Sequence, residues 1–114
     1  MKILATIFAF AIALSARAES ASFERIADAI YLAEGGAKAK SPYGILSVKV
    51  KDTADARRVC LNTIRNNHAR WLASGRRQDF ICFLADRYCP QSVDPVGNRR
   101  WKKNVSFFIS RPQK

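Results

Sequence analysis

Apolar residues at helical spacing, Phe23, Ile26, Ala27 and Ile30, run directly into a carboxylate, Glu34, and then into two consecutive glycines. The 3.6-residue period places the four apolar side chains on one stripe, the pattern of a helix that packs against a core. Glu34 follows Ile30 by one helical turn and lies near the middle of that stripe, whereas Glu24, Arg25 and Asp28 fall toward the other side. Ser22 is suited to cap the start of this helix, and Gly35 and Gly36 to stop it. A small basic stretch, Ala37-Lys38-Ala39-Lys40, and a turn, Ser41-Pro42-Tyr43-Gly44, come next. The chain therefore opens on a core-facing helix that ends in an out-of-pattern acid beside a short polar loop.

Two effects act on such an acid in one direction. Apolar packing removes water from the ionised form, and the negative end of the helix dipole disfavours a further negative charge. A carboxylic acid that keeps its proton is what acid-catalysed glycoside cleavage requires. The structural alternative is a solvated helix-end residue, or one paired with one of the many lysines and arginines.

The remaining elements point to a mainly α fold. Thr53 is suited to cap a second helix reaching about Ser74, with Asp55 in its first turn. Ala56, Val59, Cys60, Thr63, Ile64, Asn67 and Trp71 share its inner face, where Asn67 is either a hydrogen-bonded core residue or a ligand facing a cleft. A third helix spans about Gln78 to Tyr88, carries the dense run Phe80 to Ala85 and stops before Pro90, with Asp79 serving its start. Gln91 to Asn98 reads as a surface loop. A fourth helix, about Arg99 to Ser110, turns Trp101, Val105, Phe108 and Ile109 inward. Ile45 to Lys51 alternates partly at period two and reads as a short strand or extended segment. Trp71 and Trp101 are expected in the core, while Tyr43 and Tyr88, at a loop and a helix end, are candidates for stacking on a sugar, with hydrophobic packing the favoured role for Tyr88.

Residues 1–18 combine Lys2, an apolar run from Ile3 to Leu14 and a closing Ala16-Arg17-Ala18, the layout of a secretory signal peptide. That run is too short to span a bilayer, and no later stretch is apolar enough. Residues 19–114 are then a single exported domain, periplasmic or secreted, with no transmembrane segment. Without the leader it holds 18 basic and 9 acidic residues, a net charge of +9. Such an excess attracts polyanions, and outside the cytoplasm these are anionic cell-envelope polymers and surfaces, not nucleic acid. Mutual repulsion of basic surfaces favours a monomer. His68 is the only histidine and the cysteine spacings fit no zinc pattern, so no metal and no cofactor is expected. Cys60, Cys82 and Cys89 permit one disulfide in an oxidising compartment. Cys60 with Cys89 is the expected pair, leaving Cys82 as a buried thiol. Cys60 with Cys82, or three free thiols, are the alternatives.

The segment Glu34-Gly35-Gly36…Ser41-Pro42-Tyr43-Gly44 resembles the catalytic motif of soluble lytic transglycosylases, in the lysozyme-like superfamily. There a helix ends in the catalytic Glu with a Ser or Gly beside it, followed by a short loop and Ser-Pro-x-Gly. The resemblance implies a small lysozyme-like helical domain with at most a short β segment. It also implies Glu34 as catalytic acid and base, with Ser41, Pro42 and Gly44 in the loop bordering the cleft and Tyr43 in its variable place. The family continues with Gly-Leu-Met-Gln, whereas this chain reads Ile45-Leu46-Ser47-Val48 and lacks the glutamine.

The substrate so implied is the glycan strand of peptidoglycan. Hydrolysis by two carboxylates needs a second acid across the sugar, and Asp52, at the end of the segment after the loop, is the candidate. The family resembles a simpler solution: one Glu protonates the leaving oxygen and later acts as base. The substrate's own acetamido group takes the nucleophile's part, leaving an anhydro sugar. With no clear second acid, the single-Glu route is favoured, with lysozyme-like muramidase action as the other form. Ser41, Tyr43, Gly44 and Asn67 are the expected substrate-binding residues. A different class of function is a non-catalytic cationic protein that binds cell-wall glycan or another polyanion on a lysozyme-like scaffold. A third is an interaction or inhibitor protein in which Glu34 only pairs with a lysine.

Overall fold

The computed structural model describes residues 23–45 and 49–111. These form four α-helices: α1 (residues 23–33), α2 (Thr53–Ala73), α3 (Phe80–Tyr88) and α4 (Pro95–Ser110). Two 3-10 turns, Gly36–Lys38 and Pro42–Gly44, lie between α1 and α2. The mainly α class expected from the periodicity is the class observed. The leader, Glu19 and the Ser22 cap lie outside the described residues.

Caps explain the helix starts. Asp52, not Thr53, caps α2 by accepting the Asp55 N–H at 2.8 Å. Asp55 in turn accepts from the Lys51 N–H and from Arg58, which hold its carboxyl below the usual carboxylate range. Asp79 caps α3 through the Ile81 N–H. The fourth helix begins earlier than its apolar stripe suggests. Asp94 accepts the Gly97 N–H at 2.9 Å and Pro95 occupies the first helical position, where its missing N–H costs nothing. The loop expected up to Asn98 therefore closes at Asp94, and Gly97 and Asn98 become helical. The expected strand at Ile45–Lys51 is not formed at Ile45, Lys49 or Val50, and Leu46–Val48 lie outside the described residues.

One apolar core holds the helices together. Ile26, Ala27, Ala29 and Ile30 of α1 meet Ala56, Cys60 and Ile64 of α2, Leu84 and Ala85 of α3, and Trp101 and Val105 of α4. The third helix packs on both α2 and α4. Arg57 of α2 ties α1 and the second 3-10 turn together: it donates to Glu24 at 2.6 Å, to Asp28 at 2.8 Å and to the Tyr43 hydroxyl at 3.2 Å. At the other end of α2, His68 is packed among the rings of Phe23, Trp71 and Phe80. Trp71 is half-buried there, its indole N–H donated to the Gln78 carbonyl and the Arg76 guanidinium over its face. None of the described helices is long and apolar enough to cross a membrane.

Candidate active site

Glu34 follows the last residue of α1, its backbone N–H still bonded to the Ile30 carbonyl at 2.9 Å. Gly35, at φ 112°, and Gly36, at φ 59°, then turn the chain in left-handed conformations that favour glycine. The Glu34 side chain is half-buried and borders a cleft of about 420 Å³. One wall is the loop, contributing Lys40, Ser41 and Gly44. The other is the end of α3, with Tyr88 and Cys89, and the first half of α4, with Gly97 and Trp101. Among the described residues, Glu34 is the one carboxylate in this lining.

Its carboxyl is held from two sides. Trp101 donates its indole N–H to Glu34 Oε1 at 3.2 Å. On the other side the backbone of Gly44 comes so close that a Cβ there would lie 2.7 Å from both Cδ and Oε2 of Glu34. The Trp101 ring lies nearly parallel to that of Tyr88, with centroids 5.1 Å apart and 22° between planes. The Tyr88 hydroxyl reaches the Cys60 sulfur at 3.4 Å in the core. Burial pushes the Cys60 thiol up to about 11, and burial with the adjacent Cys60 pushes the Tyr88 phenol above its ordinary value. Both therefore stay protonated at neutral pH.

No family model, curated protein or solved structure matches this chain. The reading of the site consequently stands on its own residues.

Of the residues expected in the site, the structure brings together Glu34, Ser41, Gly44 and the stacking candidate Tyr88, which is also packed against Trp101 and Cys60. Three others are elsewhere. Tyr43 is only 4 % exposed and sits in the core at φ 62°, tilted against Tyr31 with its hydroxyl taken by Arg57. That backbone conformation turns the ring inward from the loop, away from the cleft its neighbours line. Asn67 is buried and donates to the Thr63 carbonyl one turn back at 2.8 Å, the core alternative. Asp52 is spent as the cap of α2 and does not line the cleft.

The expected Cys60–Cys89 disulfide is not formed, and all three cysteines are free. Ile81, Leu84, Ala85 and Tyr88 continue the inner stripe of α3, so Tyr88 is the residue that reaches Cys60. Cys89, the non-helical cap after α3 at φ −151° and ψ 83°, turns its thiol toward the start of α4, 4.0 Å from the Asp94 carbonyl. Cys82 is half-buried, not fully buried, and donates to Asp79 at 2.9 Å.

The cleft residues not expected there from the sequence are Lys40, Cys89, Gly97 and Trp101. A helical stripe marks Trp101 as inward-facing but does not say that its one polar atom meets Glu34. The Asp94-Pro95 pair, a cap followed by proline, was the signal for the earlier start of α4. Among the described residues no group of three or more His, Cys, Asp or Glu side chains is placed to hold a metal ion.

Proposed function

We propose that the protein cleaves glycosidic bonds of peptidoglycan, with Glu34 as both acid and base. The observation that carries this reading is the setting of Glu34. It is the one carboxylate among the described residues lining the cleft, and it lies between Gly44 of the Ser-Pro-x-Gly loop and the Trp101 N–H. The lytic-transglycosylase-like arrangement of sequence, helix end and loop supports the same assignment.

The chemistry follows from there being one acid. The Glu34 proton passes to the leaving glycosidic oxygen as its bond to the sugar C1 breaks, and the bonding pair leaves with that oxygen. The acetamido oxygen of the same sugar then covers C1. Glu34, now ionised, removes a proton from a hydroxyl of that sugar, whose oxygen bonds to C1 and displaces the acetamido oxygen, which regains its amide form as the anhydro ring closes. A two-carboxylate hydrolysis would need a second acid facing the first across a sugar, and Asp52 is engaged at a helix start. The single-Glu route is therefore the form of the reaction proposed. The signal-peptide-like layout of residues 1–18 supports an exported, periplasmic or secreted, setting for this activity.

The exposed basic residues Arg99, Arg100 and Lys103 of α4 favour a second reading, a non-catalytic cationic module that binds anionic wall polymers. One experiment separates the two. Purified peptidoglycan is incubated with the wild type and with Glu34→Gln, and the released fragments are analysed by mass. Cleavage ending in anhydro sugars that disappears in Glu34→Gln supports the enzyme, and reducing ends point to hydrolysis instead. Binding to the wall without release of fragments by either protein points to the module.

A further inference from the structure

The donor facing Glu34 comes from 67 residues away in sequence, and burial and two contacts prepare it. Trp101 is 7 % exposed, so its ring position is fixed by packing. Its face is stacked on Tyr88, and Tyr88 is in turn held by its hydroxyl against the buried Cys60 thiol. No other described side chain hydrogen-bonds to Glu34. The indole N–H is a donor only and cannot accept. In a carboxylic acid the carbonyl oxygen is a better acceptor than the hydroxyl oxygen, so a donor on Oε1 favours the form of protonated Glu34 that carries its hydrogen on Oε2.

We propose that Trp101 is the positioning residue of this site. Its N–H occupies Oε1 and thereby favours the transferable proton on Oε2, the oxygen that faces Gly44 and the loop. This rests on the reading of Glu34 as the acid. When Oε2 gives its proton to the leaving oxygen, the O–H pair stays on the carboxylate and the Trp101 hydrogen bond becomes charge-assisted and stronger. The contact then stabilises the transition state more than the bound substrate, so its loss falls on kcat. Tyr88 and Cys60 act one and two steps further back, by keeping the indole in plane.

Trp101→Phe keeps a ring in place and removes the N–H. On peptidoglycan, kcat is expected to fall about ten-fold or more, the weight of one hydrogen bond to a charged oxygen, with KM nearly unchanged. An independent readout uses the two indole N–H signals in a ¹H–¹⁵N spectrum. Glu34→Ala should move the Trp101 signal and leave that of Trp71, which is bonded to the Gln78 carbonyl. Trp101→Phe assigns the signals and its melting curve verifies folding. A Trp101 signal indifferent to Glu34→Ala, or a folded Trp101→Phe with wild-type kcat, overturns the proposal. A wild type that leaves peptidoglycan intact while the indole responds overturns the glycosidase reading and Trp101's part in a reaction, and leaves only the placement of the carboxyl.

Discussion

Gly44 and Glu34 are matched by what Gly44 lacks. The carboxyl of Glu34 fills the space in which a side chain at position 44 would begin, with Cδ and Oε2 both 2.7 Å from that point. Gly44 also sits at φ +66°, a conformation that costs other residues roughly 1–2 kcal/mol. Gly44→Ala is therefore expected to lower stability by about 1–2 kcal/mol, and to displace the carboxyl from Trp101. If Glu34 is the acid, cleavage should fall about 100-fold, because a misplacement of about 1 Å has effects of that size. Urea unfolding and fragment release measure the two effects separately. Unchanged cleavage would mean that the position of the carboxyl is irrelevant to activity.

Tyr43 is a packing residue in spite of its place in the loop motif. Tyr43→Ala removes a buried ring from between Tyr31 and Arg57 and should cost about 3–5 kcal/mol. Tyr43→Phe loses only the hydroxyl contact with Arg57, about 1 kcal/mol. Binding of glycan fragments by Tyr43→Phe is expected at the wild-type level, measured by calorimetry. Weakened binding at unchanged stability would put the phenol in the binding site after all.

Asp52 tests whether a second carboxylate takes part. As the cap of α2 it should contribute about 1 kcal/mol, lost in Asp52→Ala and largely kept in Asp52→Asn, since Asn caps about as well. Both variants should cleave at the wild-type rate once folded. Loss of activity in Asp52→Asn at wild-type stability would favour the two-carboxylate route.

Alkaline titration reads out the burial of Cys60 and Tyr88. The folded protein holds the Cys60 thiol at about 11 against an ordinary value of 9.0, chiefly because burial opposes the thiolate. A group raised on folding gives its full contribution below the unfolded value and loses it as pH climbs through the folded one. Stability should therefore decline between pH 9 and about 11, by roughly 2–3 kcal/mol from Cys60. Tyr88, raised above its ordinary value of 10.0 by burial, adds to the same decline further up. In Cys60→Ala the fall from pH 9 should be shallower, as followed by urea unfolding across this range. An equally steep fall in Cys60→Ala would assign the effect to other groups.

How much was legible in the sequence depended on the range of the interaction involved. Helix α1, its end at Glu34, the glycine stop, the span of α2 and the roles of Asp55 and Asp79 follow from neighbours within a turn or two, because periodicity and capping are local. The mainly α class follows from the same rules. What local rules could not decide was which of two adjacent residues turns inward where regular structure ends. Tyr43 rather than its neighbours enters the core because its backbone takes a left-handed φ, and Tyr88 rather than Cys89 reaches Cys60 because it continues the α3 stripe. Asp52 and Thr53 both suit a cap, and it is Asp52, with extended backbone and its carboxyl on the Asp55 N–H, that caps the helix. The meeting of Trp101 with Glu34 needed α1 and α4 docked on one core, and no spacing along the chain records that contact. Local rules set most of each helix and the acid at the end of the first, and the packing of the helices set which indole faces that acid and the room left for it at Gly44.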